Sequence, residues 1–352
     1  MNKEMRAKPV LIRDEKVAKN LLRQKPYITL VDAFSDQLQE LFFIENHAFI
    51  GQPKKEVYAT KDFFLYCEKK KNAYVYVYFP WNHTLVKTVT KESYLALKTN
   101  RNQDLITAGE QKKLRDFTVG VFGMSVGSNI AFVLTQAGIS NKIVIADFDE
   151  LSTTNLNRIL AGVHQVGINK TIIASRRIYE DNPFANVQTM SAGINPQNLE
   201  ALLKKGELDC IIEEIDNISM KIETRFLAIK YKIPVIMITD NGDGVVLHIE
   251  RYDLGHRKIF DKDPKYWKNV LKEPMTMQKA GGIIMNDIVG VEKVDPKMIA
   301  SVKRVMKREL VSWSQLGSAA ILGGVVATVA LKKLALGMLK KKSITEYIHV
   351  FK

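Results

Sequence analysis

The chain has 352 residues, 46% hydrophobic and 26% charged, which is ordinary globular composition and length enough for one large domain plus a smaller one. Two cysteines, Cys67 and Cys210, exclude a disulfide framework and a cysteine-rich zinc site, and a reducing cytoplasm fits them. The net charge of +14 suits either an anionic partner or plain solvated lysine faces, because the lysines are spread along the chain.

The opening MNKEMRAKPVLIRDEK has no apolar core of the kind a secretory leader needs, so none is expected. Residues 1–99 read as a separate α+β accessory region. Residues 38–43 read as an apolar helix end. Residues 62–67 and 73–79 read as strands joined by the turn Lys69-Lys70-Lys71. Alternation in the second puts Tyr74, Tyr76 and Tyr78 on one face, where core is a better expectation than a ligand platform. Thr107 is placed to cap a helix over residues 108–114, with Glu110 completing a capping box.

Residues 117–149, FTVGVFGMSVGSNIAFVLTQAGISNKIVIADFD, read as strand, glycine turn, helix, strand. Gly123, Ser125 and Gly127 make the turn. Such a turn lets backbone N–H groups approach a phosphate at a helix N-terminus. Asp147, at the tip of the second strand, stands where an acid suits a ribose hydroxyl. Glycine turns of this kind also serve packing alone. This one is a residue shorter than the G-x-G-x-x-G pattern, which disfavours a simple NAD or FAD site.

Further on, helices over 171–180, 196–205 and 220–230 alternate with short apolar strands over 187–190, 208–215 and 234–239. That order predicts a Rossmann-like α/β fold, a mostly parallel sheet with flanking helices. Residues 245–251 begin an antiparallel portion, and 253–315 carry no readable period. LGSAAILGGVVATVAL, at 316–331, is 16 residues long, short of the roughly 20 of a membrane span. A buried helix is expected there, packed within the domain or a dimer, and no membrane partner. No RNA-binding or helix-turn-helix signature is present, so no nucleic acid partner is expected.

A second set of residues follows the glycine turn. It runs Asp147-Phe148-Asp149, Asn155-Leu156-Asn157-Arg158, Gly167-Ile168-Asn169-Lys170, then Asp216-Asn217 after an apolar strand, with Arg101-Asn102 upstream. In order and spacing these resemble the ThiF/MoeB family, the ubiquitin-activating-enzyme-like adenylyltransferases. The resemblance implies an adenylyltransferase domain over 100–352 that binds ATP and Mg2+ and activates a carboxylate as an acyl-adenylate, releasing pyrophosphate. It implies that Gly123, Ser125, Gly127, Asp147 and Asp149 hold the nucleotide. It gives Asn155, Arg158 and Lys170 to the phosphates and Asp216 to the metal. Arg101 matches an arginine that reaches the phosphates, in homodimeric members from the partner subunit. The catalytic set is then Arg101, Arg158, Lys170 and Asp216, and a homodimer is expected.

The chemistry needs such groups. Carboxylate attack on the α-phosphate gathers anions, and arginine, lysine and a metal offset the charge. Arginine grips phosphate bidentately, whereas lysine acts as a point charge. Magnesium needs only one or two carboxylates besides phosphate and water.

The chain also departs from the family. No cysteine follows Cys210, which lies in an apolar strand, and the paired Cys-x-x-Cys ligands are missing. Neither an enzyme thioester nor zinc is expected. The nearest resemblance is to a bacterial subgroup often carrying a nitroreductase-like flavin domain, through FPWNHTLVKTV at 79–89, residues 101–107, GMSVGS, Asn155 to Arg158, residues 216–221, Tyr252-Asp253 and residues 312–315. No such flavin domain is expected within these 352 residues. Lys221, Asp240 and Asp243 follow predicted strand ends and are candidates for a substrate pocket. The substrate class is a carboxylate on a small molecule, a peptide or a small carrier protein. A second reading is a non-catalytic nucleotide-binding partner of a separate flavoenzyme; a third, an NAD-dependent oxidoreductase, is disfavoured by the shortened glycine turn and by Arg158 and Lys170.

Overall fold

The computed structural model describes residues 7–351; the first six residues, on which the expectation of no leader partly rests, and Lys352 lie outside them. The chain divides into two compact units. One runs to Gln111 and takes in Tyr179–Phe184; the other comprises Lys112–Ile178 and the chain from Ala185 onward.

In the first unit, β1 (Val10–Ile12), β2 (Thr29–Asp32), β3 (Tyr74–Phe79) and β4 (Thr84–Val89) form a sheet of order β1-β3-β4-β2. Tyr76 and Tyr78 are buried with Ile12, Ala18 and Leu85, so the tyrosine face is core. Residues 62–67 are not the expected strand; they lie in the helix Lys61–Lys70. Thr60 caps it, its Oγ1 accepting from the Phe63 N–H at 3.2 Å. Asp62 sits in the first turn and Lys69 and Lys70 in the last, as the helix dipole favours. The run has no β-branched residue to oppose a helix. Phe63 and Tyr66, three apart, both stack edge-on against Phe42. The Thr107 capping box forms as read: Thr107 N–H donates to Glu110 Oε2 at 2.8 Å, and Glu110 N–H to Thr107 Oγ1 at 3.3 Å.

The second unit holds β5 (Val119–Phe122), β6 (Lys142–Ala146), β7 (Asn186–Met190), β8 (Cys210–Glu213), β9 (Val235–Asn241), β10 (Gly244–Glu250) and β11 (Ser343–Ile348). The order is β11-β10-β9-β8-β5-β6-β7. β5 to β9 pair parallel, and β10 and β11 antiparallel. The chain begins mid-sheet at β5, steps out to β6 and β7, then returns to the other side for β8 and β9. This is the expected Rossmann-like α/β arrangement, with a topological switch point between β5 and β8. β5 and β8 are buried throughout, as strands covered on both faces must be.

The apolar segment near the C-terminus forms the helix Gly317–Ala335, packed on the helix Val126–Gln136 and on β9 and β10. It is long and apolar enough to cross a membrane, yet 56% of its apolar window is buried inside the protein. Residues 253–315 form short helices, among them Pro264–Leu271, Met277–Ile283 and Pro296–Met306, with a π turn at Ile284–Val289. Two begin at proline and one runs into the π turn, which breaks the helical period.

Beneath the switch point lies a buried ionic chain. Glu213 accepts from Lys221 Nζ at 3.0 Å and from Arg225 Nη1 at 2.7 Å, and Arg225 Nε donates to Glu250 at 2.6 Å. Arg225 and Glu213 are fully buried, and the pairing holds Glu213 below the ordinary carboxylate range despite its burial. The chain fastens the helix Ile218–Tyr231 to the sheet.

Candidate functional site

The site is built at the carboxyl ends of β5, β6 and β8. Phe122 carbonyl accepts from the Glu214 N–H at 2.7 Å, so β5 and β8 stay joined to their ends. Gly123 follows with φ +92, and a Cβ there would lie 2.2 Å from the Glu214 carbonyl oxygen, so glycine is required. Gly123 N–H donates to Ala146 O at 2.8 Å and Met124 N–H to Asp147 Oδ2 at 2.6 Å, which ties the turn to β6 as well.

Ser125 precedes the helix Val126–Gln136 but does not cap it. Its Oγ accepts instead from Arg158 Nε at 3.0 Å. The helix therefore opens without a side-chain cap, which suits an anion. Arg158 also donates to Thr154 O at 3.3 Å and Asn157 Oδ1 at 2.9 Å. Burial lowers its pKa, and the charges of Asp240 and Asp216 oppose that. Its loop is clamped on two sides. Asn129 Nδ2 donates to Arg158 O at 2.8 Å, and Asn157 Nδ2 to Gln315 O at 2.8 Å. At Gly317 a Cβ would meet Asn157 O at 2.2 Å, so the C-terminal helix can press on this loop only because residue 317 has no side chain.

Asp147 is buried, and its Oδ1 accepts from the Asp149 N–H at 2.8 Å. Burial raises its pKa, and the two backbone donors act against this. Each oxygen retains acceptor capacity for a hydroxyl. Lys170 is buried and paired to Asp149 Oδ2 at 2.8 Å. Asn155 Oδ1 accepts from the Ser152 N–H at 3.1 Å, closing a capping box, which leaves the donors of its amide outside that bond. Asp216 is exposed just beyond β8, and Asn217 caps the next helix.

A cavity of about 140 Å³ opens beside the turn. Ser125, Asp216, Lys221, Asp240 and Gln315 line its polar side, and Met237, Ile284, Met285 and Ile288 part of its apolar side. Of the predicted residues, Asp147, Asp149 and Lys170 gather at the tip of β6, joined to the turn through Met124. Arg158 links the turn to the cavity side through Ser125. Lys221 and Asp240 line the cavity, but Asp243 does not. It is exposed in the β9–β10 turn and accepts from Ser318 Oγ at 3.0 Å. Arg101 is exposed in the single turn Asn100–Asn102 of the first unit.

Two parts of the site escaped the sequence reading. Glu214 lines the cavity, accepts from the Ile238 N–H at 2.8 Å, and is pushed well up by burial. Its only signal was an acidic pair inside an apolar run. The wall from Gly281 to Val302 lies in the stretch without a period. Among the described residues no group of three or more His, Cys, Asp or Glu side chains is set to hold a metal. Asp216 fits Mg2+ where phosphates and water complete the shell.

Burial raises the Asp240 carboxyl from 3.8 to about 6, with Arg158 and Gln315 pulling the other way. Its folded pKa lies above the unfolded one. The stability it contributes is therefore present below the unfolded value and lost as pH rises through the folded one. Between pH 7.5 and pH 5 the wild type should gain about 1 kcal/mol that Asp240→Asn does not. Denaturant unfolding of both proteins at the two pH values checks this; equal gains would contradict it.

The ThiF family matches residues 97–350. An uncharacterised protein of Mycobacterium tuberculosis is 30% identical over 332 residues, covering 92% of this chain and 42% of that protein. The tRNA threonylcarbamoyladenosine dehydratase of Haemophilus influenzae is 31% identical over 140 residues, 39% of this chain and 53% of that enzyme. The chain thus spans well under two thirds of either relative. The E. coli tRNA N6-threonylcarbamoyladenosine dehydratase, solved with AMP, superposes with a TM-score of 0.51 at 20% identity, covering 71% of this chain and 98% of that one. That likeness is one of fold. With its family match spanning most of its length, this chain belongs to the ThiF family.

Proposed function

We propose that the chain is an ATP-dependent adenylyltransferase that activates a carboxylate without an enzyme thioester. The observation that carries this is Arg158, held by Ser125 at the uncapped start of the helix Val126–Gln136, with Asp216 across the switch point. In the reaction a carboxylate oxygen bonds to the α-phosphorus of ATP. The bond from that phosphorus to the bridging oxygen breaks, and pyrophosphate leaves with the electron pair. The helix N–H groups and Arg158 stabilise the charge spread over the phosphate oxygens. Asp147 accepts from the ribose, and Asn155 and Lys170 donate to the outer phosphates. Asp216 would hold Mg2+, which when bound supplies positive charge to the leaving pyrophosphate. Arg101 is assigned to the same phosphates across a homodimer.

Cys210 supports the thioester-free reading: it is fully buried in β8, and burial raises its thiol. Cys67 is raised by burial too. Reduced thiols suit a cytoplasmic setting. Residues 1–99 are assigned as an accessory region, and the chain to the subgroup often fused to a nitroreductase-like domain. The Mycobacterium relative, whose match takes in most of the chain and under half of its own length, is compatible with that assignment. The acid is a small molecule, a peptide end or a small carrier protein.

Exchange of labelled pyrophosphate into ATP, with a panel of acids, tests the activity. Arg158→Ala and Asp216→Asn should each lower exchange by about 10²–10³. Full-rate exchange in Asp216→Asn contradicts the metal role. ATP binding with no exchange for any acid favours a nucleotide-binding partner instead.

A homodimer is part of the same reading. Ile321, Val325 and Val329, each 41–48% exposed, form one apolar stripe on the helix Gly317–Ala335. Sedimentation at micromolar concentration should show a dimer, and Val325→Glu should shift it toward monomer. An active wild-type monomer would rule out an arginine from the partner.

A further inference from the structure

The cavity contains a carboxylate for which the adenylation machinery has no task. Asp240, at the end of β9, is 8% exposed, and neither of its oxygens has a hydrogen-bond partner. It lines the cavity together with Glu214 and Asp216. The cations nearby are engaged elsewhere. Lys221 Nζ is held by Glu213 at 3.0 and 3.3 Å. Arg158 donates to Ser125, Thr154 and Asn157. Gln315 lies close enough to draw the Asp240 carboxyl down, yet neither carboxylate oxygen meets the geometry of a hydrogen bond to it. A buried carboxylate with no partner is costly, and a positive group brought by a ligand relieves that cost. Among the described residues no group of three or more acids, histidines or cysteines is set to hold a metal through protein ligands alone.

The remaining wall supplies the other half of the ligand's description. Met237, Ile284, Met285 and Ile288 make it apolar. At about 140 Å³ the space is near the roughly 150 Å³ that accommodates a benzene ring, one side chain in size. A ligand that satisfies both halves has a cation beside one apolar group.

We propose that Asp240 receives the protonated amine of the acid being activated, so that the substrate is a free amino acid with an apolar side chain. This rests on the adenylation reading and narrows it. At a peptide's C-terminal residue the α-nitrogen is an uncharged amide, so a peptide end would leave Asp240 unmatched.

The test titrates leucine, methionine and phenylalanine, with their N-acetyl and des-amino counterparts, into the full chain by calorimetry. Pyrophosphate exchange is then run with the same compounds. At least one free amino acid should bind about tenfold or more tightly than its N-acetyl and des-amino forms. In Asp240→Asn, and in Asp240→Ser as a second variant, that preference should fall to about twofold or less. Equal binding of the amine-free forms, a preference that survives both substitutions, or no binding by any of the three amino acids overturns the proposal. Amine-dependent binding through Asp240 with no exchange upholds this assignment and removes the adenylation reading.

Discussion

The site depends on one close approach. Gly123 passes so near the Glu214 carbonyl that any side chain would collide with it. That contact lets the ends of β5 and β8 stay paired while the chain leaves the sheet. It fixes where the helix Val126–Gln136 begins, and so where its free N–H groups lie. With Met124 tied to Asp147, the turn is fastened to β6 as well, and three strand ends become one platform.

Everything polar at the site is arranged about that platform. Ser125 does not cap its own helix, and its hydroxyl holds Arg158 instead. The Arg158 loop is kept in place by Asn129 on one helix and by the carbonyl of Gln315 ahead of another. The apolar C-terminal helix thus has two functions: it covers the sheet, and it presses on the loop that carries the arginine. The buried chain Lys221–Glu213–Arg225–Glu250 holds the far side of the crevice. Removing one member of such a chain leaves an unmatched buried charge, which costs about 3–5 kcal/mol.

The parts legible in the sequence were those governed by local rules. The strand–turn–helix at 117–149, the Thr107 capping box and the alternation of apolar strands with helices each need only neighbours a few residues apart. The helix Lys61–Lys70 was misread because its aromatic run resembles a strand. Its cap at Thr60 and the meeting of Phe63 and Tyr66 on Phe42 decide otherwise. The cavity wall was illegible for a different reason. Its residues come from short pieces interrupted by a π turn, so no period survives. Asp243 and Asp240 look alike in sequence, three apart after one strand. Only the fold shows one exposed in a turn and the other buried at the cavity.

A crystal structure of the chain with Mg2+ and a non-hydrolysable ATP analogue tests the central claim most directly. The account predicts the α-phosphate against the backbone of Ser125 to Gly127, with the Arg158 guanidinium on its oxygens and Asp216 at the metal. A triphosphate bound away from that turn, or an Arg158 still facing Ser125 with no phosphate contact, would contradict it.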